Sequence, residues 1–423
     1  MAQDRAGWYG LDNAAKIYPA VRSTETSGMF RLSAVMHRAV DADYLQIALE
    51  KTLERYPTFT MCIKKGLFWY YLEKNFRTPR VYKEDSFPCS KLDTQFNDGY
   101  LFRVTYHKRV INLECFHSLA DGTGALPFLK TLVRTYLALA GTGVTPDGSA
   151  PSARESEDSF LRYYEKSTAQ SDHGAAAFHL KMPLLEPYAV AVTHGCMPTA
   201  ALVELARAHG VTVTAYLGAL VLYAIYRSPY IGNYGDLAKK PLKIAIPVNL
   251  RRWFPSETLR NFAMFANIPV VTDGGRSDFE QFLAQVSEGM KREINYDTLL
   301  ARFSFNVRAE RNKFFKFVPL FIKNLALRAS YDMLGEKLYT TQLSNLGEIV
   351  IEDDLRPYIE RFTFLISPSP KVPVVATACS CGDAFTLSFN RRAEGSEIEQ
   401  FVFSHLTAAG VPVTVYTNGG DAL

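Results

Sequence analysis

At roughly 100–200 residues per domain, the 423 residues make a chain of two or three domains. Hydrophobic residues are 48% of the chain and charged residues 21%, which excludes a disordered or fibrous protein. The 47 Lys and Arg residues against 43 Asp and Glu give a net charge of +4, too small to indicate a nucleic-acid-binding protein. Composition therefore predicts a soluble globular protein with the size of a two-domain enzyme.

The cysteines and the apolar segments predict a cytoplasmic protein. Six cysteines occur without a CxxC pair or a Cys/His cluster at zinc spacing, so we expect neither a disulfide framework nor a metal site. The first 16 residues lack the apolar core of a signal peptide. The longest apolar stretch, residues 211–226, is shorter than the roughly 18–20 residues that span a bilayer, which favours a buried helix.

The first part of the chain alternates predicted strands and helices. Asp41 is a suitable N-cap for a helix whose apolar residues recur at helical spacing, and Pro57 ends that helix. Residues 141–159 are rich in Gly, Pro, Ser and acidic side chains, as a linker is. The predicted elements are strands at 33–37, 58–64, 67–73, 100–106 and 110–116, and helices at 41–55 and 124–140.

The second part repeats this mixture of elements. Gly210 is placed to end the first of its helices. The predicted elements are helices at 199–209, 213–227, 278–293 and 396–408, and strands at 242–248, 262–271, 372–379, 384–390 and 411–416. The sequence therefore predicts two similar α/β halves, and the contact between such halves is a favoured place for a substrate.

The segment with the clearest chemical content runs from His117 to Gly122, between an apolar strand and an amphipathic helix. A neutral imidazole there could take a proton from a hydroxyl or an amine near pH 7. Asp121 could fix the turn, and Gly122 allows the chain to reverse tightly. The spacing alone leaves open a second interpretation, in which an Asp or Thr caps the helix and the histidine is incidental.

The HxxxDG pattern of this segment resembles that of the acyltransferase superfamily that includes condensation domains of peptide synthetases, alcohol acetyltransferases and polyketide-associated acyltransferases. The chain length, the motif about a third of the way along, and the segments 246–252, 258–262 and 344–347 agree with that resemblance. It implies two chloramphenicol-acetyltransferase-like α/β sandwich subdomains with a tunnel between them. We expect these subdomains at residues 1–172, which include the linker-like stretch 141–159, and 173–423.

The resemblance also implies roles for individual residues. His117 would be the general base, and Gly122 the turn glycine. Asp121 would be structural and would form a bidentate pair with an arginine of the second half, for which Arg251 fits best and Arg252 is the alternative. Two further residues could donate to an oxyanion or could simply form a local turn, and these alternatives stay open: Ser344 and Asn345.

The implied activity is the transfer of an acyl group, acetyl or longer, from acyl-CoA to a hydroxyl acceptor. Acyl-CoA would be a co-substrate, and no metal or permanently bound cofactor is expected; we also expect a monomer. Phe116 stands where many peptide-forming condensation domains have a second histidine, which favours this activity. The alternatives are a carrier-protein-dependent condensation enzyme that forms an amide or ester, and a non-catalytic relative that binds acyl ligands.

The segment Arg302–Arg328 is both basic and aromatic. It has seven Arg and Lys residues and six phenylalanines, and Pro319 divides it into two pieces. Such a stretch can lie on an anionic membrane, or it can be a pair of helices whose phenylalanines pack on a core. The sequence favours packing over membrane contact.

Overall fold

The protein is described here from a computed structural model, in which residues 8–23, 25–166, 174–187, 189–311 and 317–418 are defined. The predicted division between subdomains, at residues 172 and 173, lies outside the described residues and stays a prediction.

The chain alternates strands and helices over its whole length. The strands are β1 (Trp8–Gly10), β2 (Met29–Met36), β3 (Met61–Lys65), β4 (Tyr70–Lys74), β5 (Val81–Lys83), β6 (Phe102–His107), β7 (Val110–Phe116), β8 (Ala191–Pro198), β9 (Leu242–Asn249), β10 (Ala263–Val270), β11 (Thr341–Glu348), β12 (Ile359–Ile366), β13 (Val374–Cys381), β14 (Ala384–Arg391) and β15 (Thr414–Thr417). The helices are α1 (Ile17–Val21), α2 (Ala42–Arg55), α3 (Gly122–Leu139), α4 (Ser159–Arg162), α5 (Thr199–Ala208), α6 (Val213–Arg227), α7 (Phe279–Glu293), α8 (Tyr296–Arg311), α9 (Leu320–Leu334) and α10 (Glu397–Ala408).

Within the described ranges these strands form three sheets. A hairpin sheet has the order β1-β4-β3, a seven-stranded sheet β10-β9-β11-β13-β14-β8-β15, and a five-stranded sheet β12-β2-β7-β6-β5. The edge strand β12 comes from late in the chain but pairs antiparallel with β2, from Ile359 opposite Met36 to Ile366 opposite Phe30. The five-stranded sheet therefore contains residues from both halves of the sequence.

The predicted helices and strands are confirmed, with their ends shifted by a few residues. The Asp41 side chain caps α2 by accepting from the amides of Asp43 and Tyr44. Pro269 is tolerated inside β10 because this strand lies at the edge of its sheet. Five of the strands were not predicted: β1, β5, β8, β11 and β12. In β8 the strand-weakening Gly195 is required by packing, since a Cβ there would lie 2.2 Å from the Phe403 ring.

Each large sheet has its own apolar core. Phe30 and Leu32 of β2 and Phe128 of α3 belong to the first core, which lies between the five-stranded sheet and helices α2 and α3. The second core lies around α6, whose side chains are almost all buried, as predicted for residues 211–226. No single helix in the described ranges is long and apolar enough to cross a membrane; α5 and α6 meet that test only together, as a pair bent by 81°.

The basic, aromatic segment divides into a packed part and an exposed part. In α8, Phe303 and Val307 are fully buried in the second core, so packing is confirmed for this helix. In α9, Phe321 and Leu325 are exposed. The residues between these helices lie outside the described ranges: Asn312, Lys313, Phe314, Phe315 and Lys316.

Candidate active site

The backbone at the end of β7 sets the position of His117. The His117 amide donates to the Gly28 carbonyl at 2.9 Å, which ties the motif loop to the start of β2. Gly28 has φ +64°, and a Cβ on it would lie 3.1 Å from the Phe116 ring and 3.4 Å from the Tyr18 ring. Glycine is therefore required here both by its backbone angle and by the close approach of two aromatic rings.

The imidazole of His117 is partly buried and is held on three sides. Tyr18 of α1 stacks on it with ring centroids 4.9 Å apart and planes only 10° from parallel. The Phe30 ring packs at 4.7 Å with a tilt of 55°. On the ring edge, Nδ1 lies 3.3 Å from Oδ1 of Asn261, a residue 144 positions later in the chain. These contacts fix the orientation of the imidazole.

The hydrogen bonds of Asn261 determine the tautomer of His117. Its Nδ2 donates to the His117 carbonyl at 2.7 Å and to Oδ2 of the buried Asp12 at 3.4 Å. Because the NH2 group faces these oxygens, the amide oxygen faces the imidazole, and an amide oxygen can only accept. Nδ1 therefore carries the proton, and the lone pair lies on Nε2.

Burial keeps the imidazole uncharged near pH 7. Desolvation lowers the pKa of His117 below its ordinary value near 6.5, and the Asn261 hydrogen bond and the Asp121 charge oppose this shift only in part. A neutral imidazole with a lone pair on Nε2 can accept a proton. The site therefore has the electrostatic state that a general base needs.

Asp121 joins the motif loop to residues of the second half. Its Oδ1 caps α3 by accepting from the Gly124 amide at 2.7 Å, and its Oδ2 accepts from the Phe262 amide at 2.8 Å and from Nη1 of Arg251 at 2.9 Å. The pairing with Arg251 is present, whereas the alternative Arg252 is exposed. The expectation of a bidentate pair is wrong, because the helix cap already occupies Oδ1.

Arg251 also holds the segment that carries Asn261. Its Nε donates to the Thr258 carbonyl at 3.0 Å, and its Nη2 donates to the Arg260 carbonyl at 2.5 Å. The same segment touches the start of α3 so closely that a Cβ on Gly124 would lie 2.0 Å from the Leu259 carbonyl oxygen. One guanidinium therefore aligns the motif loop with the residues that contact the histidine.

The other predicted site residues lie near the motif loop with simpler roles. Gly122 begins α3, and a Cβ on it would lie 3.0 Å from Leu346 of β11. Ser344 is buried in the same strand. The Oδ1 atom of Asn345 makes a local bond, accepting from the Gly347 amide at 2.8 Å, while its Nδ2 donates to Thr214 of α6 at 3.0 Å. The bond to Gly347 agrees with the turn interpretation for Asn345.

A separate cavity of about 580 Å³ lies between the two large sheets. Its walls include Arg31 and Ser33 of β2, Asn112 of β7, and His194 of β8. His117 is not part of its lining, because Phe30 and Arg31 point to opposite faces of β2. The expected tunnel at His117 thus stays a prediction.

Four residues of the site were not assigned roles from the sequence. Asn261 belongs to the segment 258–262, which was part of the family resemblance. The sequence therefore indicated this segment, but not the contact of Asn261 with His117. Asp12, Tyr18 and Gly28 lie outside any motif, and only the fold brings them to the histidine.

Comparison with solved structures shows which fold this is. F. graminearum TRI101, complexed with coenzyme A and deoxynivalenol, matches with a TM-score of 0.64 at 13% identity, covering 96% of this chain and 100% of that one. Polyketide synthase associated protein 5 from Mycobacterium tuberculosis matches at 0.58 and 14%, covering 94% and 96%. The first condensation domain of the calcium-dependent antibiotic synthetase matches at 0.56 and 15%, covering 96% and 97%.

No protein-family model matches the sequence, and a search of curated proteins found no match. At these identities the similarity defines the fold. The chain has the fold of these solved structures, an α/β fold of two subdomains. The resemblance inferred from the motif is confirmed at this level.

Proposed function

We propose that the protein is an acyltransferase that moves an acyl group from acyl-CoA to a hydroxyl acceptor, with His117 as the general base. The observation that carries this proposal is the hydrogen bond from Nδ1 of His117 to Oδ1 of Asn261, which leaves the Nε2 lone pair of a neutral imidazole available. The intact His117, Asp121 and Gly122 favour a catalytic protein over a ligand-binding relative.

The reaction needs one base that returns its proton. Nε2 of His117 takes the proton of the acceptor hydroxyl as the oxygen attacks the thioester carbonyl carbon. The tetrahedral intermediate then collapses, the carbon–sulfur bond breaks, and the thiolate takes the proton back from Nε2. A positioned base contributes about 10²–10⁴ in rate, so alignment of the two substrates supplies much of the remainder.

The neighbours of His117 favour the charged state that forms during this reaction. The stacked Tyr18 ring, 4.9 Å from the imidazole, offers a π-face to the imidazolium, and such contacts stabilise a cation. The Asn261 oxygen keeps accepting from Nδ1 while the ring is charged. Asp121 raises the pKa of His117 at longer range, which acts in the same direction.

The solved structures with the same fold support coenzyme A as the carrier of the acyl group. TRI101 of F. graminearum is complexed with coenzyme A and a small-molecule acceptor. The condensation domain supports the alternative donor, an acylated carrier protein. We place coenzyme A first because Phe116 precedes His117, where many peptide-forming condensation domains have another histidine. Cytoplasmic location and a monomeric state stay predictions.

The proposal is tested by thiol release from acyl-CoA of several chain lengths with a panel of alcohols and amines. We expect turnover with an alcohol, lowered at least about 10²-fold in His117→Ala. His37→Ala is the matched control, since His37 is exposed, and it should leave the rate unchanged. Equal rates for His117→Ala and wild type would refute the mechanism, and product only with an acylated carrier protein would establish the alternative donor.

A further inference from the structure

A cluster of large apolar side chains on α9 and on the β3–β4 turn is exposed to solvent. Leu67, Phe317, Phe321 and Leu325 are 72%, 75%, 70% and 71% exposed, and Ile322 is 46% exposed. We call these five residues the apolar patch. Exposed apolar residues are common singly, but a contiguous group of this kind marks a surface that contacts something.

The apolar patch is one connected surface. The Leu320 amide donates to the Leu67 carbonyl at 2.9 Å, which links the start of α9 to the hairpin turn. The Phe317 ring packs edge-on against Phe68 at 6.5 Å. Beneath them, the Lys323 ammonium donates to the Phe68 carbonyl at 3.0 Å and lies 3.4 Å from the centre of the Trp69 ring. These contacts hold α9 against the β3–β4 hairpin.

Helix α9 packs against α1, which contributes to the candidate active site. Arg328 donates from Nε to the Ala20 carbonyl of α1 at 2.5 Å. The same short helix carries Tyr18, whose ring stacks on His117. The apolar patch and the catalytic imidazole are therefore separated by two packed helices.

The charge around the apolar patch points to the chemistry of its partner. Lysines and an arginine are exposed on the described elements that carry the patch: Lys64, Lys65, Lys74 and Arg328. The exposed Glu73 of β4 pairs with Lys64 at 3.6 Å, so positive charge is in excess among these side chains. A second copy of this chain would bring the same positive charge, and like charges facing each other disfavour association. An anionic lipid surface offers both an apolar interior and negative headgroups.

We infer that the apolar patch docks the protein on the surface of a bilayer that contains anionic phospholipid. Phe317, Phe321 and Leu325 enter the boundary between headgroups and acyl chains, and the exposed Lys65 and Arg328 lie at the headgroups. Docking in this orientation places α9 on the lipid, with α1 and the His117 site directly behind it. An apolar acyl donor or acceptor that partitions into membranes is then the expected substrate class, a consequence that rests on the proposed function.

The test is co-sedimentation with vesicles of phosphatidylcholine alone or mixed with phosphatidylglycerol. We expect wild type to bind the mixed vesicles, and added salt to weaken binding. Phe321→Ser/Leu325→Ser should bind at least about tenfold more weakly. The matched control is Phe96→Ser/Val271→Ser, since these side chains are 84% and 72% exposed elsewhere, and it should bind like wild type.

This experiment measures binding without turnover, so it separates docking from catalysis. His117→Ala should bind the vesicles like wild type, whether or not the proposed function holds. The inference is overturned if wild type does not sediment with the mixed vesicles, or if the patch variant and the control variant bind equally. It is also overturned if the patch variant abolishes self-association in sedimentation velocity while lipid binding is absent, because the patch is then an interface between copies.

Discussion

Replacement of Arg251 by methionine tests the link between the motif loop and the second half. The Arg251 and Asp121 side chains are only 11% and 7% exposed, so the substitution leaves a largely buried carboxylate without its cation. The carbonyl oxygens of Thr258 and Arg260 lose their donors as well. Methionine fills a similar volume, so the effect reports the lost charge and hydrogen bonds.

The expected loss of stability follows from these contacts. Removing one partner of a buried ion pair costs about 3–5 kcal/mol. Two backbone donors, the amides of Gly124 and Phe262, continue to bond to the Asp121 carboxylate and offset part of that cost. Each carbonyl that loses its donor costs about 1 kcal/mol more. The two carbonyls together add about 2 kcal/mol, which is comparable to what the two amides offset. We therefore expect Arg251→Met to lower the free energy of unfolding by about 3–5 kcal/mol.

The assay is urea denaturation followed by circular dichroism, together with the thiol-release rate. Arg252→Met is the matched control, because the neighbouring Arg252 is exposed, and it should change stability by less than about 0.5 kcal/mol. In Arg251→Met the protein that remains folded should also be slower by about 10²-fold, since Asn261 loses its support. A stability loss within about 1 kcal/mol of the control would refute the proposed role of the pair.

Three further substitutions test other parts of the structure. Asn261→Ala should lower kcat/KM by about 10²-fold. Because the Asn261 hydrogen bond raises the pKa of His117, its loss should also move the acidic limb of the pH–rate profile to lower pH. Gly124→Ala should destabilise by about 2 kcal/mol in urea denaturation, because a Cβ 2.0 Å from the Leu259 oxygen outweighs the roughly 1 kcal/mol gain in helix propensity. Burial, together with the charges of Arg361 and Arg31, lowers the pKa of His194 to about 3, so below pH 6.5 the unfolded state binds a proton that the folded state does not. Stability should therefore fall by about 1.6 kcal/mol from pH 6.5 to 5, and His194→Gln should remove that part of the pH dependence.

Each of these has a result that would contradict it. If the acidic limb of the pH–rate profile is the same in Asn261→Ala as in wild type, the Asn261 amide does not contact the imidazole in solution. For Gly124→Ala the control is Gly218→Ala in α6, where a Cβ meets side chains only at 3.5 Å and beyond, so equal effects would contradict the argument. Parallel stability–pH curves for wild type and His194→Gln would show that His194 is not buried in the neutral state.

The long helices could be predicted because the features that define them, an N-cap and an apolar periodicity, lie within one short segment of sequence. Asp41, Asp121, Thr212 and Asp278 each accept from a backbone amide at the start of a helix, and each precedes an apolar periodicity. The edge strand β12 was missed because its partner β2 is more than 300 residues away in the chain. Strand pairing over such a separation leaves no pattern within a short window of sequence.

The candidate site was only half predictable for the same reason. The HxxxDG motif lies in one contiguous segment, so His117, Asp121 and Gly122 were found directly. Arg251 was chosen from a family resemblance. Its single hydrogen bond to Asp121 was not predicted, because the Asp121 carboxylate also caps α3. Tyr18 reaches the imidazole only through tertiary packing, and a lone tyrosine in a sequence indicates no such role.

One pair of consecutive residues in the second half contacts both ends of the motif. Asn261 accepts from the His117 ring, and the Phe262 amide donates to the Asp121 carboxylate. These two residues therefore position the His117 imidazole and the motif loop together. A movement of this residue pair relative to β7 would break both contacts. Substitutions along this contact should lower stability and activity in proportion, whereas substitutions inside either apolar core should lower stability first and leave the rate of the folded protein nearly unchanged.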